Sequence, residues 1–367
     1  MTKKVRIIGF AALAALWTAL VLGAWFGPTH DISDSERRKL AQLPEFTAES
    51  ILSGKFMTKF EDFTLDQFPL RDSFRRLKAR FHYGVLRQGD NNDIYVQDGY
   101  AAKLEYPLNE TSVSSALEKF DRIYETYLKD TNCKIYASVV PDKGLYLAQE
   151  NGYPAMDYEA LFAMMEDGMD WAKFVDISDL LTVSDYYRTD THWRQEKLLK
   201  VASRLCEALE TGSFTAEELT QMTVDRPFYG VYYGQAALPM EPEQMYYLTG
   251  DILSGCTVYH YETGKTTAVY DMDKLSSRDL YDIYLSGATS MLRITNPAAS
   301  GDRELVVFRD SFGSSLIPLL VKDYATVTVV DTRYIDPALL GQYLQFENQD
   351  VLFVYSTLIL NSSSALK

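Results

Sequence analysis

From Ile7 to Phe26 the chain is apolar apart from Thr18 and small residues, and Lys3, Lys4 and Arg6 precede it. A run of about 20 apolar residues matches the ~30 Å hydrocarbon core of a bilayer as a helix, whereas the apolar part of a cleaved signal peptide is usually about 7–15 residues long. The pattern predicts a signal anchor over residues 1–27, with cleavage after Ala24 as the alternative. A cytoplasmic basic flank puts everything after Pro28 outside the cell. Residues 28–90 read as a helical stalk or N-terminal subdomain. Asp34-Ser35-Glu36-Arg37-Arg38 is polar, and a helical spacing runs from Pro69 through Phe74, Leu77 and Phe81 to Gly84, predicting one face packed on the main domain. Ile94-Tyr95-Val96 and Tyr100-Ala101-Ala102 flank Asp98-Gly99, a hairpin turn signal.

From about residue 112 the periods of helix and strand alternate. Leu117, Phe120, Tyr124 and Tyr127 mark a helix face, Lys134–Val140 is a strand ended by Pro141, and helices are expected at 158–169 and 195–209 around a strand at 171–177. Near the C-terminus the order is strand 304–308, helix 313–322, strand 325–330, helix 337–343 and strand 351–355. Continuous apolar strands alternating with helices predict an α/β domain over 91–367, its parallel sheet covered by helices on both faces. Residues 212–300 break the rhythm. They are rich in Tyr and Gly, with a hairpin expected around Thr263-Gly264, and read as a β-rich insertion or cap.

Composition narrows the class. The chain is 47% hydrophobic with 24% charged residues, enough for a large core and unlike a disordered chain. A net charge of -15, with no Lys/Arg cluster of the required kind, argues against nucleic-acid binding. The three cysteines are far apart and the four histidines scattered, so neither a metal site nor a disulfide framework is predicted, and the chemistry considered below needs no cofactor.

Two segments carry candidate chemistry. Leu305-Val306-Val307-Phe308-Arg309-Asp310-Ser311-Phe312-Gly313 reads as strand, tight turn and helix, which puts a serine hydroxyl beyond the carboxyl end of a sheet strand. Its own N–H can meet a developing oxyanion; the plainer reading is a serine that only caps a helix. In Asp190-Thr191-His192-Trp193, residues two apart in an extended segment face the same side, so Asp190 can fix the His192 tautomer and leave the other ring nitrogen for Ser311. His30, His82 and His260 have no such company.

Tyr186-Tyr187-Arg188-Thr189-Asp190-Thr191-His192-Trp193 resembles the signature of the DHHW family, which is related to the periplasmic alginate O-acetylation proteins of SGNH-hydrolase-like fold. Phe60-Glu61-Asp62-Phe63 through Phe68-Pro69-Leu70-Arg71-Asp72, then Val139-Val140-Pro141-Asp142-Lys143, Phe228-Tyr229-Gly230 and Asp310-Ser311-Phe312 fit the same family in the same order, from about residue 36 onward. The resemblance implies a triad of Ser311, His192 and Asp190 whose Asp-His pair precedes the serine, a circular permutation of the ordinary SGNH order. It also implies site-wall or substrate-binding roles for Arg333, Tyr334 and Trp193. Relatives carry Gly-Asn where this chain has Gly287-Ala288, which leaves the Gly287 N–H as an oxyanion donor and removes an amide.

The implied activity is an extracytoplasmic O-acyltransferase, O-acetyl in kind, acting on a cell-envelope or secreted polysaccharide. Its acyl group would come through a multi-spanning membrane O-acyltransferase. A carbohydrate acetylesterase using the same triad is one alternative. A non-catalytic, polysaccharide-binding subunit of an acetylation complex is another.

Overall fold

The computed structural model describes residues 3–33 and 35–367; Met1, Thr2 and Asp34, which the sequence reading touched, lie outside the described residues. The chain divides into two compact units. One comprises the residues up to Asn92 together with Tyr233–Pro239, the other Asp93–Tyr232 and Met240–Lys367.

In the first unit, helix α1 (Lys3–Phe26) has no buried residue, and its most apolar 18-residue stretch has a mean hydropathy of 2.2. It is long and apolar enough to cross a membrane, a property that a signal sequence shares. A short antiparallel pair, β1 (Ile32–Ser33) and β2 (Arg38–Lys39), follows. Then come α2 (Ala48–Leu52), capped by Thr47, α3 (Lys55–Asp66) and α4 (Arg71–Arg80). Arg38 grips both Asp66 oxygens, at 2.8 and 2.6 Å. The helical spacing read from Pro69 is present, but Phe74, Leu77 and Phe81 are exposed rather than covered.

The second unit opens with the expected hairpin of β3 (Ile94–Gln97) and β4 (Tyr100–Lys103). Helix α5 (Glu110–Ile123), capped by Asn109, precedes β5 (Lys134–Val140), α6 (Gly144–Leu147), α7 (Tyr158–Gly168), β6 (Lys173–Phe174) and α8 (Leu199–Ala208). The antiparallel pair β7 (Thr220–Phe228) and β8 (Glu243–Thr249) is separated by α9 (Val231–Ala236) and followed by α10 (Asp251–Gly255). The remaining elements are β9 (Thr257–His260), β10 (Thr266–Thr267), β11 (Met291–Thr295), β12 (Glu304–Arg309), α11 (Gly313–Leu316), β13 (Thr326–Val330), β14 (Asp350–Ser356) and α12 (Thr357–Asn361).

Eight strands form one sheet in the order β10-β9-β11-β13-β12-β14-β5-β6. From β13 to β6 neighbouring strands are parallel, and β11, β9 and β10 continue the sheet antiparallel. Part of the stretch 212–300 therefore lies within the sheet itself, while β7 and β8 pair outside it. The inner strands are apolar without interruption because both faces are covered. Leu305, Val307, Leu352 and Val354 pack into one core, and Val306, Phe308, Val351 and Phe353 into the other.

Several predicted elements are shorter than their patterns. The strand expected at 171–177 is only β6. The helix expected at 313–322 is α-helical for one turn and then 3-10 over Ile317–Leu320, since Pro318 has no N–H to give the Ser314 carbonyl. The helix expected at 337–343 is a 3-10 turn over Pro337–Gln342.

Candidate active site

The parallel strands β5, β12, β13 and β14 end on the same side of the sheet, and the residues just past them meet there. Asp142 and Lys143 follow β5, Asp310 and Ser311 follow β12, Asp331 and Arg333 follow β13, and Thr357 follows β14. The turn carrying Ser311 is held by its neighbour. One Asp310 oxygen accepts the Phe312 N–H at 3.0 Å, and the other accepts the Ser356 N–H and hydroxyl at 2.8 and 2.6 Å. That leaves Ser311 partly exposed, with its N–H donating to no group among the described residues.

Opposite stands the loop 186–193. Its ends pair through a Tyr186–Trp193 bridge, and the Tyr187 N–H donates to the His192 carbonyl at 3.0 Å. Glu243 accepts the Arg188 and Thr189 N–H groups, both at 2.7 Å, and the Thr189 hydroxyl at 2.9 Å. Gly230 packs so closely that a Cβ there would lie 2.3 Å from that of Asp190, which only glycine permits.

Within this loop Asp190 Oδ1 accepts the His192 N–H at 3.0 Å and lies 2.6 Å from His192 Nδ1, while Oδ2 accepts the Val231 N–H at 2.8 Å. A carboxylate can only accept, so Nδ1 carries the ring proton and Nε2 is left as an acceptor. Nε2 lies 2.9 Å from Ser311 Oγ. The imidazole stacks on the Tyr281 ring, with centroids 3.9 Å apart and planes 8° from parallel, and the Tyr281 hydroxyl meets Ser315 Oγ at 2.7 Å.

Of the predicted site residues, the structure brings together Ser311, His192 and Asp190. Trp193 is fully buried and its Nε1–H is shared between the Phe312 carbonyl and Ser315 Oγ, both at 3.0 Å. It braces the serine turn and has no surface for substrate, contrary to the expected role. Gly287 lies in a left-handed run with Leu285 and Ser286, at φ of 51°, 60° and 78°, and its N–H donates to the Tyr284 carbonyl at 3.1 Å. The N–H expected to serve an oxyanion is thus engaged in a turn. Arg333 is clamped on Asp331 through Nε and Nη2, at 2.8 and 2.6 Å. Burial works against its charge, but the Asp331 carboxylate outweighs this and holds the guanidinium above its ordinary range. Tyr334 is exposed beside it, its ring centroid 5.3 Å from the Arg333 guanidinium.

Four contributors escaped the sequence reading of the site. Lys143 is fully buried and donates to the Tyr187 and Asp190 carbonyls at 2.9 and 2.7 Å; burial pushes its amine down to about 7. Its place three residues past an apolar strand, in Val139-Val140-Pro141-Asp142-Lys143, was a visible signal. Tyr281 and Glu243 had none, since only tertiary contact gives them their roles. Arg309, also buried, reaches the Gly287 carbonyl at 3.2 Å and Asp331 at 3.4 Å, tying the left-handed turn to the strand end.

No family model and no curated protein sequence matches the chain. Among solved structures, a DHHW family protein from Eubacterium siraeum aligns at a TM-score of 0.60 and 19% identity over 75% of this chain and 94% of that one. Bacillus cereus PatB1 with a sulfonyl adduct aligns at 0.59 and 18%, over 73% and 95%. The chain is thus similar, in the architecture of its mixed α/β sheet, to a DHHW family protein and to PatB1.

Proposed function

We propose that this protein is an extracytoplasmic, serine-dependent O-acyltransferase, most simply O-acetyl, that modifies a cell-envelope or secreted polysaccharide. Residues 1–27 are its anchor, 28–90 a helical N-terminal subdomain and 91–367 an SGNH-hydrolase-like catalytic domain of permuted site order. The observation that carries the reading is the 2.9 Å separation of His192 Nε2 from Ser311 Oγ, with Asp190 behind Nδ1. The sulfonyl adduct on a protein of similar fold supports it, because sulfonyl electrophiles are captured by activated nucleophiles.

In this mechanism Nε2 takes the Ser311 proton as Oγ attacks the acyl carbonyl, and the Ser311 N–H receives the developing oxyanion. The imidazolium, stabilised by Asp190, returns that proton to the leaving oxygen as its bond to the acyl carbon breaks. A sugar hydroxyl then gives its proton to Nε2 as its oxygen bonds to the acyl carbon, and the imidazolium passes that proton to Ser311 Oγ as the Oγ–acyl bond breaks. Tyr334 and Arg333 form the wall that meets the sugar. A multi-spanning membrane O-acyltransferase is the proposed source of acyl groups.

The test is turnover of a chromogenic acetyl ester by the full chain, with and without an oligosaccharide acceptor. Ser311→Ala and His192→Ala are each expected to lower kcat by about 10⁴-fold or more. Acceptor-dependent transfer marks the transferase, and release to water alone marks an acetylesterase. The engaged Gly287 N–H and the missing amide at Ala288 favour a second reading, a polysaccharide-binding subunit. That reading stands if the wild type is as inert as both variants and still binds polymer.

A further inference from the structure

With a net charge of -15, the chain as a whole is repelled by anionic surfaces. Helix α4 departs from this average, carrying Arg71, Arg75, Arg76, Lys78 and Arg80 against Asp72 alone. Arg71 and Arg75 are held by Glu36 at 2.5 and 3.3 Å, whereas Arg76, Lys78 and Arg80 have no carboxylate partner among the described residues. Large apolar side chains stand exposed among these cations: Leu77 at 63%, Phe74 at 42% and, in the turn that continues the helix, Phe81 at 49% and Val85 at 66%. Cations without partners beside uncovered apolar groups are the composition of a helix that lies in a lipid–water boundary.

The position of α4 names the surface. The last turns of α1 pack on the corner from which α4 starts: a Cβ on Gly23 would lie 2.9 Å from Pro69 Cγ. Two residues further along α1, Trp25 has its ring centroid 6.1 Å from that of Phe60 on α3, which stacks in turn on Phe56 at 5.7 Å. When α1 crosses a bilayer, this end lies at the headgroup level, where tryptophan is favoured. The α3–α4 corner is held there with it.

We infer that α4 and the Phe81–Val85 turn form a second membrane element, an interfacial helix seated on anionic phospholipid. Phe74, Leu77, Phe81 and Val85 enter the acyl boundary while Arg76, Lys78 and Arg80 meet the phosphates. The inference rests on the reading of α1 as a membrane-spanning anchor. It adds that the N-terminal unit lies against the bilayer instead of projecting from a single tether.

The full chain is reconstituted in lipid nanodiscs of phosphatidylcholine alone and of phosphatidylcholine with phosphatidylglycerol, and amide hydrogen exchange is followed by mass spectrometry. Peptides covering 71–85 are expected to exchange about tenfold more slowly in the anionic discs. That protection should fade as added salt shortens the screening length from ~10 Å. It should be lost in the triple variant Arg76→Glu, Lys78→Glu, Arg80→Glu and in Leu77→Asn, while peptides of β12 and β14 keep their wild-type exchange as a sign of intact folding. A chain that stays with both kinds of disc but shows equal exchange over 71–85 overturns the inference and leaves the face to a protein partner. A chain that does not stay with neutral discs removes the anchor reading, and this inference with it.

Discussion

Replacing Asp190 with asparagine leaves one acceptor oxygen where three N–H groups now converge, two on Oδ1 and one on Oδ2. Whichever way the amide is turned, its NH₂ faces either His192 Nδ1 or the Val231 N–H. The imidazole then takes the wrong tautomer or a buried donor goes unmet. We expect Asp190→Asn to lower kcat on an acetyl ester by about 10⁴-fold and to cost ~1–3 kcal/mol of stability, read by steady-state kinetics and a denaturant titration. Lys143 gives a pH prediction. Its amine falls from 10.5 to about 7 through burial, so between those values the unfolded chain holds a proton that the folded chain does not. Stability attributable to this residue therefore rises with pH across that window, and its penalty is complete below it. Lys143→Met should flatten the slope, so urea midpoints at pH 6 and pH 9 should lie closer together than in the wild type. The triad candidates were legible because Asp190 and His192 are neighbours in sequence and Ser311 follows an unmistakable strand. Trp193 and Gly287 were misread because the same sequence motif does not say whether an indole faces the cleft or braces it, or where one N–H is spent.

Strands were read well where both of their faces are buried, because an uninterrupted apolar run leaves few alternatives. β5, β12, β13 and β14 fall within one or two residues of their patterns. Where an element is fixed by its neighbours instead, sequence periodicity overreached. Phe174 pairs with Ala137 for only two residues of ladder, and Pro318 cuts a helical pattern that is otherwise continuous. Residues 257–295 were the hardest part, since the antiparallel additions β9 and β11 have no period that distinguishes a sheet edge from a cap. The difference between covered and uncovered elements predicts mutational cost. Leu352→Ala in β14, fully buried, should destabilise the second unit by ~2–5 kcal/mol. Leu77→Ala in α4 should stay within ~0.5 kcal/mol in detergent, both measured by urea unfolding.

At the scale of the whole molecule, all three cysteines are free. Cys206 and Cys256 are buried and Cys133 is half-buried. Burial raises both inner thiols, Cys256 to about 11, so the thiolate that reacts is scarce in each. A thiol reagent should titrate one group quickly in the native protein and three in denaturant, and mobility should not change under non-reducing conditions. The sheet order has a wider consequence. Every strand from β9 to β14 comes from the later part of the chain, and β5 and β6, from the earlier part, join that block along one ladder, β14 against β5. The Asp190–His192 pair travels with the earlier part and Ser311 with the later. If the proposed triad turns over an ester, that activity is a proximity signal for the assembly of the two parts. Two fragments divided near Gly250 would each be silent, and their reassembly would switch the reaction on, a ready basis for a split-enzyme reporter.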